Sequence, residues 1–191
     1  MNNEITDIIR ASIATKQQLL ENEALLETIE KVIQVITDAF KKGNRIYLCG
    51  NGGSAADAQH LAAEFTGRFY KDRSALPAEA LHCNSSYLTS VGNDYGFDMV
   101  YARMIEGIGQ TGDILIGLST SGNSANIIKA FEAAATKKMI TIAFTGITGG
   151  ILKSMSDHLI NIPSADTPRI QESHIMIGHI ICQQVEEKYF N

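Results

Sequence analysis

The sequence predicts an α/β fold: a doubly wound, five-stranded parallel sheet with helices on both faces, extended at the N-terminus by two further helices. Two observations carry this. From residue 45 onward, short and nearly continuous apolar runs recur between helical stretches, and strands without polar alternation are strands covered on both faces. The 191 residues are 45% apolar and 19% charged, with only three prolines, which suits one domain with a real core rather than disorder. The chain reads as a single domain over 1–191, with a helical arm at 1–43 and the α/β core at 44–191.

Taken in order, Ile5, Ile8, Ile9 and Ile13 fall at helical spacing, as do Ile29, Val32, Ile33, Ile36 and Phe40. The second helix stops at Gly43, after Lys41 and Lys42, whose charges suit a helix C-terminus. Both helices precede the first strand, so their apolar stripes exceed what one sheet covers and predict a bundle with neighbouring subunits. Arg45–Cys49 reads as the first strand, followed by a glycine loop and a helix from Ala55. Glu79–Cys83, Ile114–Leu118, Met139–Phe144 and His158–Ile162 read as the other strands. Helices occupy most of the intervals, notably Ala125–Thr136, and an amphipathic helix over Ile170–Tyr189 closes the chain.

Composition narrows the function classes. A net charge of −5 argues against a nucleic-acid backbone or an anionic membrane as the main partner. It leaves phosphorylated small molecules open, because a few N–H groups and hydroxyls suffice to bind one phosphate. Cys49, Cys83 and Cys182 form neither a CxxC pair nor a disulfide framework, and their apolar surroundings read as burial. The start MNNEITDIIR lacks a signal-peptide pattern, and no apolar run is long enough to span a bilayer. A soluble, cytoplasmic protein is expected.

In such a sheet, ligands bind beyond the carboxyl ends of the strands. There, Leu118-Ser119-Thr120-Ser121-Gly122-Asn123-Ser124 follows the third strand and opens a helix. Its hydroxyls stand where first-turn N–H groups lack partners and the helix dipole favours an anion. An ordinary N-cap accounts for one serine, but not for Ser119, Thr120, Ser121 and Ser124 together. Without a lysine, this is no Walker A loop. It suits a phosphate that is held rather than transferred.

The loop after the first strand, Gly50-Asn51-Gly52-Gly53-Ser54-Ala55, matches G-x-G-x-x-A, a form of the dinucleotide fingerprint. The acidic residue that fingerprint requires is misplaced, since Asp72 precedes the second strand instead of ending it. The alternative is close approach of the Asn51–Ser54 backbone to a sugar or its phosphate. On the following helix, Asp57, His60, Glu64 and Arg68 share one face. That face is either solvated and salt-bridged or, through His60 and Glu64, able to hold Zn²⁺. On the last helix, Gln171 and His179 lie about 80° and about 12 Å apart on a straight helix, a spacing that does not by itself pair them. An isolated histidine there reads first as a hydrogen-bonded core residue.

The segments GNGGSAADAQHLAAEF, SVGNDYGFDMVYAR, GLSTSGNSANIIKAFEAA and DTPRIQESHIMIGHIIC together resemble the phosphoheptose isomerases of the sugar isomerase (SIS) domain family. The resemblance spans essentially the whole chain and implies an SIS-type fold. It further implies conversion of sedoheptulose 7-phosphate to D-glycero-D-manno-heptose 7-phosphate for bacterial surface glycans such as lipopolysaccharide, by a homotetramer with active sites between subunits. By the same resemblance, His60, Glu64, Gln171 and His179 match Zn²⁺ ligands. Asn51, Gly52, Gly53, Ser54, Glu64, Asn93, Asp94, Ser119, Thr120, Ser121, Ser124 and Gln171 match substrate-binding positions. Glu64 and His179 are the expected catalytic acid/base pair of an enediol reaction. Thr167-Pro168-Arg169 stands where the family often has Thr-Ala-Arg, a change expected to be harmless at a helix start. The alternative within the resemblance is a non-catalytic tetramer that binds the replication initiator.

Overall fold

A computed structural model describes residues 3–191, so that Met1 and Asn2 of the expected arm lie outside the described residues. Two helices, α1 (Asn3–Leu20) and α2 (Glu23–Lys41), precede β1 (Ile46–Gly50) and α3 (Gly53–Thr66). Then follow β2 (Ala78–Ala80), α4 (Ser85–Tyr95), α5 (Val100–Ile108), β3 (Ile114–Leu118) and α6 (Ala125–Thr136). The chain continues through β4 (Ile140–Thr145) and β5 (His158–Asn161) to α7 (Thr167–Tyr189). The five strands form one parallel sheet in the order β2-β1-β3-β4-β5. The order reverses between β1 and β3, and the helices that follow these two strands, α3 and α6, pack on opposite faces, the arrangement in which such sheets form their ligand crevice.

The expected doubly wound sheet is present, and its two faces divide the core. Ile46, Leu48, Ile114, Ile116, Ile142 and Phe144 face α2, α3 and α7. Their strand neighbours Tyr47, Cys49, Leu115 and Ala143 face α4, α5 and α6. Successive strand side chains alternate between faces. Both faces are apolar, hence the unbroken apolar runs in the sequence.

Several expectations need correction. The second strand is the short Ala78–Ala80, not Glu79–Cys83. Leu81 still donates its N–H to Leu48 O at 2.9 Å, after which the chain turns away. Cys83 is exposed, whereas Cys49 and Cys182 are buried as expected. The third helix starts at Gly53 and ends at Thr66, so Arg68 drops off the polar stripe. The last helix starts at Thr167, where Pro168 occupies its first turn; proline suits a position whose N–H has no helical partner.

The two N-terminal helices also differ from one another. Asn22 caps α2 by accepting from Leu25 N at 3.1 Å, and the Ile29/Val32/Ile33/Ile36/Phe40 stripe is buried within the chain's own core. Burying each such side chain stabilises the fold by about 1.5–3 kcal/mol. Only α1 keeps the surplus apolar face: Ile5, Ile8, Ile9 and Ile13 are each 55–60% exposed.

Candidate functional site

The serine loop leaves β3 at the crevice. Ser119 is buried, and its N–H donates to Phe144 O at 2.9 Å. Ser124 occupies the N-cap position of α6, yet its side chain makes no capping bond. Its hydroxyl instead pairs with Ser119 Oγ at 2.9 Å. The first-turn N–H groups of α6 are therefore not capped by the Ser124 side chain, so ordinary capping does not account for this loop. Gly122 adopts φ +68°, and a Cβ there would collide with Gly149 O. That contact presses the loop against the segment after β4. Ser121 Oγ accepts from Asn123 N, and Asn123 Oδ1 accepts from Ile151 N, further fixing the turn.

Beside this loop lies a cleft of about 250 Å³, lined among others by Thr120, Ser121, Thr148, Ser164 and Thr167. Three of these hydroxyls come from the β4 and β5 ends and the start of α7. Sequence reading missed them, because each sits singly in an otherwise ordinary loop.

Across the crevice, the glycine loop begins α3. Gly53 packs so closely on Gln171 that a Cβ would stand 2.9 Å from both amide atoms of that side chain. Gln171, at the start of α7, is thus brought to the start of α3. Asp72 lies exposed in the coil before β2, so the acidic partner of a dinucleotide site is missing from the second strand's end. Asn93 and Asp94 sit on the exposed last turn of α4, joined to one another by a 2.8 Å bond. Among the described residues, no hydrogen bond or ion pair links those two to the other candidate positions.

His60, Glu64 and His179 do come together. His60 Nε2 lies 2.9 Å from His179 Nε2 and 3.3 Å from Glu64 Oε1. One ligand atom from each falls within 4.8 Å of the others. The close approach of two helices brings this about. Gly178 precedes His179, Leu61 follows His60, and a Cβ on Gly178 would stand 2.6 Å from Leu61 Cδ1. The absent side chain lets α3 and α7 touch at the site. Phe69 flanks it, its ring centroid 5.8 Å from that of His179.

The rest of the polar stripe and the α7 histidine pair diverge. Asp57 has its Oδ2 buried without a partner, and that burial raises its carboxyl above the ordinary range against an opposing pull from His60. His174 is a core residue, the role expected of an isolated histidine on this helix. It is fully buried, with Nε2 3.1 Å from Thr145 O, and burial pushes its pKa down to about 4 despite that bond.

The segment between α3 and β2 is locked by a buried ion pair. Glu186 on α7 accepts from Arg73 Nε at 2.8 Å and from the N–H groups of Phe69, Tyr70 and Lys71. Arg73 in turn donates to the carbonyls of Glu64 and Phe65 at the end of α3. Burial alone would raise the Glu186 carboxyl, but these donors outweigh it and hold it below its ordinary value.

A model of the SIS domain matches residues 9–146. A phosphoheptose isomerase of Aneurinibacillus thermoaerophilus is 51% identical over 190 residues, covering 100% of this chain and 96% of the relative. The chain belongs to the SIS domain family and its phosphoheptose isomerase group. A second member, from Clostridium acetobutylicum, is 49% identical over 100% of this chain and 97% of its own length. The family's fold is shared in three dimensions. The structure of a phosphoheptose isomerase from Neisseria gonorrhoeae, 41% identical, superposes with a TM-score of 0.91 over 97% of this chain and 98% of that one. One from Francisella tularensis, 34% identical, gives 0.93 over 97% of each.

Proposed function

We propose that this chain is an aldose–ketose isomerase that converts sedoheptulose 7-phosphate to D-glycero-D-manno-heptose 7-phosphate through an enediol. One observation carries the reading. At the carboxyl end of the sheet, an uncapped, hydroxyl-rich helix start lies across a crevice from the start of α3, a helix that forms a His/Glu/His cluster with α7 through His60, Glu64 and His179. The first holds a phosphate at one end of a sugar, and the second supplies acid/base groups at the other. The phosphate is not transferred; it contributes binding energy that aligns the reacting carbons.

Ser119, Thr120, Ser121 and Ser124 take the phosphate, with Asn51–Ser54 and Gln171 along the sugar and Asn93 and Asp94 from the α4 face. Glu64 removes the proton from carbon 1, and His179 returns a proton on the carbon 2 side. Glu64 has two oxygens; Oε1 faces His60, which leaves Oε2 for the substrate. The Nε2 atoms of His60 and His179 and the Glu64 carboxylate converge with the donor types that suit Zn²⁺, one ion per subunit, with Gln171 as a further oxygen ligand. When bound, the metal polarises the substrate oxygens.

The exposed isoleucine stripe of α1 supports assembly into a homotetramer through the arm at 1–43, with the 44–191 core as the catalytic unit. Among the described residues, no helix is long and apolar enough to cross a membrane. We place the reaction in the cytoplasm, early in heptose supply for surface glycans such as lipopolysaccharide.

Purified protein incubated with sedoheptulose 7-phosphate should produce the aldose heptose phosphate by NMR. No conversion, with or without added Zn²⁺, overturns the reading.

A further inference from the structure

Two asparagine side chains meet across the crevice. Asn51 Nδ2 donates to Asn126 Oδ1 at 2.9 Å, and Asn126 Nδ2 donates back to Asn51 Oδ1 at 2.8 Å. Asn126 is 2% exposed. Each carboxamide uses one N–H and one oxygen lone pair on the other, a complementary pairing that needs a donor and an acceptor on each side and that an ionised carboxylate cannot complete. Away from bulk water, such a pair is strong and costly to leave half-made.

Its two members belong to different halves of the site. Asn51 O accepts from Ser54 N at 3.0 Å and Ala55 N at 3.4 Å, so its position sets the first turn of α3. Asn126 lies in the first turn of α6, two residues after Ser124. Both attachments are local and short. The pair therefore ties the start of the helix that carries His60 and Glu64 to the start of the helix that follows the serine loop.

Resting on the isomerase reading, we propose that Asn126 is a positioning residue for the reaction. Acting through Asn51, it fixes the spacing between the loop that takes the phosphate and the helix that aims Glu64 at the reacting carbons. A substrate held at one end by its phosphate is sensitive to this spacing, because small displacements of reacting groups cost rate steeply.

The test compares the full-length parent, Asn126→Leu and Asn126→Asp, with sedoheptulose 7-phosphate as substrate and inorganic phosphate as a competitive probe of the serine loop. Leucine keeps the size and removes both bonds. Its kcat/KM should fall by about ten- to a hundredfold, while the inhibition constant for phosphate stays at the parent value. Unchanged kcat/KM overturns the proposal. So does a phosphate constant that worsens by the same factor, since Asn126 would then serve the phosphate loop itself.

Asn126→Asp covers the case in which the leucine variant does not fold. An ionised carboxylate accepts from Asn51 Nδ2 but cannot donate to Asn51 Oδ1, whereas a protonated one does both. The ratio of variant to parent kcat/KM should therefore rise as the pH is lowered. A ratio flat with pH overturns the proposal, because a purely structural loss has no reason to follow that proton. A parent that shows no turnover defeats the isomerase reading itself, and this proposal with it. Failure confined to the variants leaves that reading intact.

Discussion

His60 Nε2 and His179 Nε2 lie 2.9 Å apart although 119 positions separate them in the chain. They meet because α3 and α7 touch beside them, where Leu61 packs on Gly178. Adding a methyl at Gly178 should force the helices apart. We expect Gly178→Ala to lose about 1–3 kcal/mol of stability and to bind Zn²⁺ more weakly. Urea denaturation and Zn²⁺ titration check the two effects; parental values in both would show that the contact does not set the cluster.

Removing one ligand should weaken the metal more than removing a supporting contact does. His60→Ala is expected to lose more than about tenfold in Zn²⁺ affinity, read by competition with a chromophoric chelator. An affinity equal to the parent's would place the ion elsewhere.

Glu64→Gln and His179→Gln keep size and polarity but lose the proton-transfer groups. Turnover should fall by about 10²- to 10⁴-fold in each, with the assembly state by light scattering unchanged. Substantial turnover remaining in both variants would sink the acid/base assignment.

The serine pair addresses a different parameter. Replacing Ser119 and Ser124 together with alanine should raise KM by about tenfold or more while kcat changes less, the pattern expected for lost uniform binding. An unchanged KM would count against the phosphate role.

Acid should destabilise the fold before the carboxylates titrate. Burial lowers His174 from its usual 6.5 to about 4, so the unfolded chain binds the extra proton first. Stability contributed by the neutral, buried ring is complete above the unfolded pKa and is lost as the pH falls from 6.5 towards 4. At about pH 5 the loss should be about 2 kcal/mol relative to neutral pH, visible as a lower urea midpoint. His174→Asn should flatten that slope. Glu186 acts in the same direction at lower pH: its depressed carboxyl stabilises above the unfolded value and ceases to as the pH falls through the folded one.

Much of this protein is legible in its residues. Uninterrupted apolar runs such as Ile114–Leu118 announce strands covered on both faces, because no polar side chain has water to face. Four hydroxyls after a buried strand are placed at a helix start by chain direction alone, which is why they read as a candidate anion site. The His60/Glu64 spacing places two ligand types on one helix face by the 3.6-residue repeat. Each of these is local, and local geometry follows from neighbouring residues.

What only the tertiary structure decided is non-local. The sequence offered His179 and Gln171 on one helix with no evident common target. The structure brings His179 to His60 and Gln171 to Gly53 by packing α7 on α3. It separated the two arm helices, burying the stripe of α2 and leaving that of α1 exposed, although both show the same helical spacing. It also took Ser124 from capping duty and gave its hydroxyl to Ser119. Spacing fixes which face a side chain is on, but not what meets that face. That depends on close approaches such as Leu61 against Gly178, whose meaning exists only once the two helices are side by side.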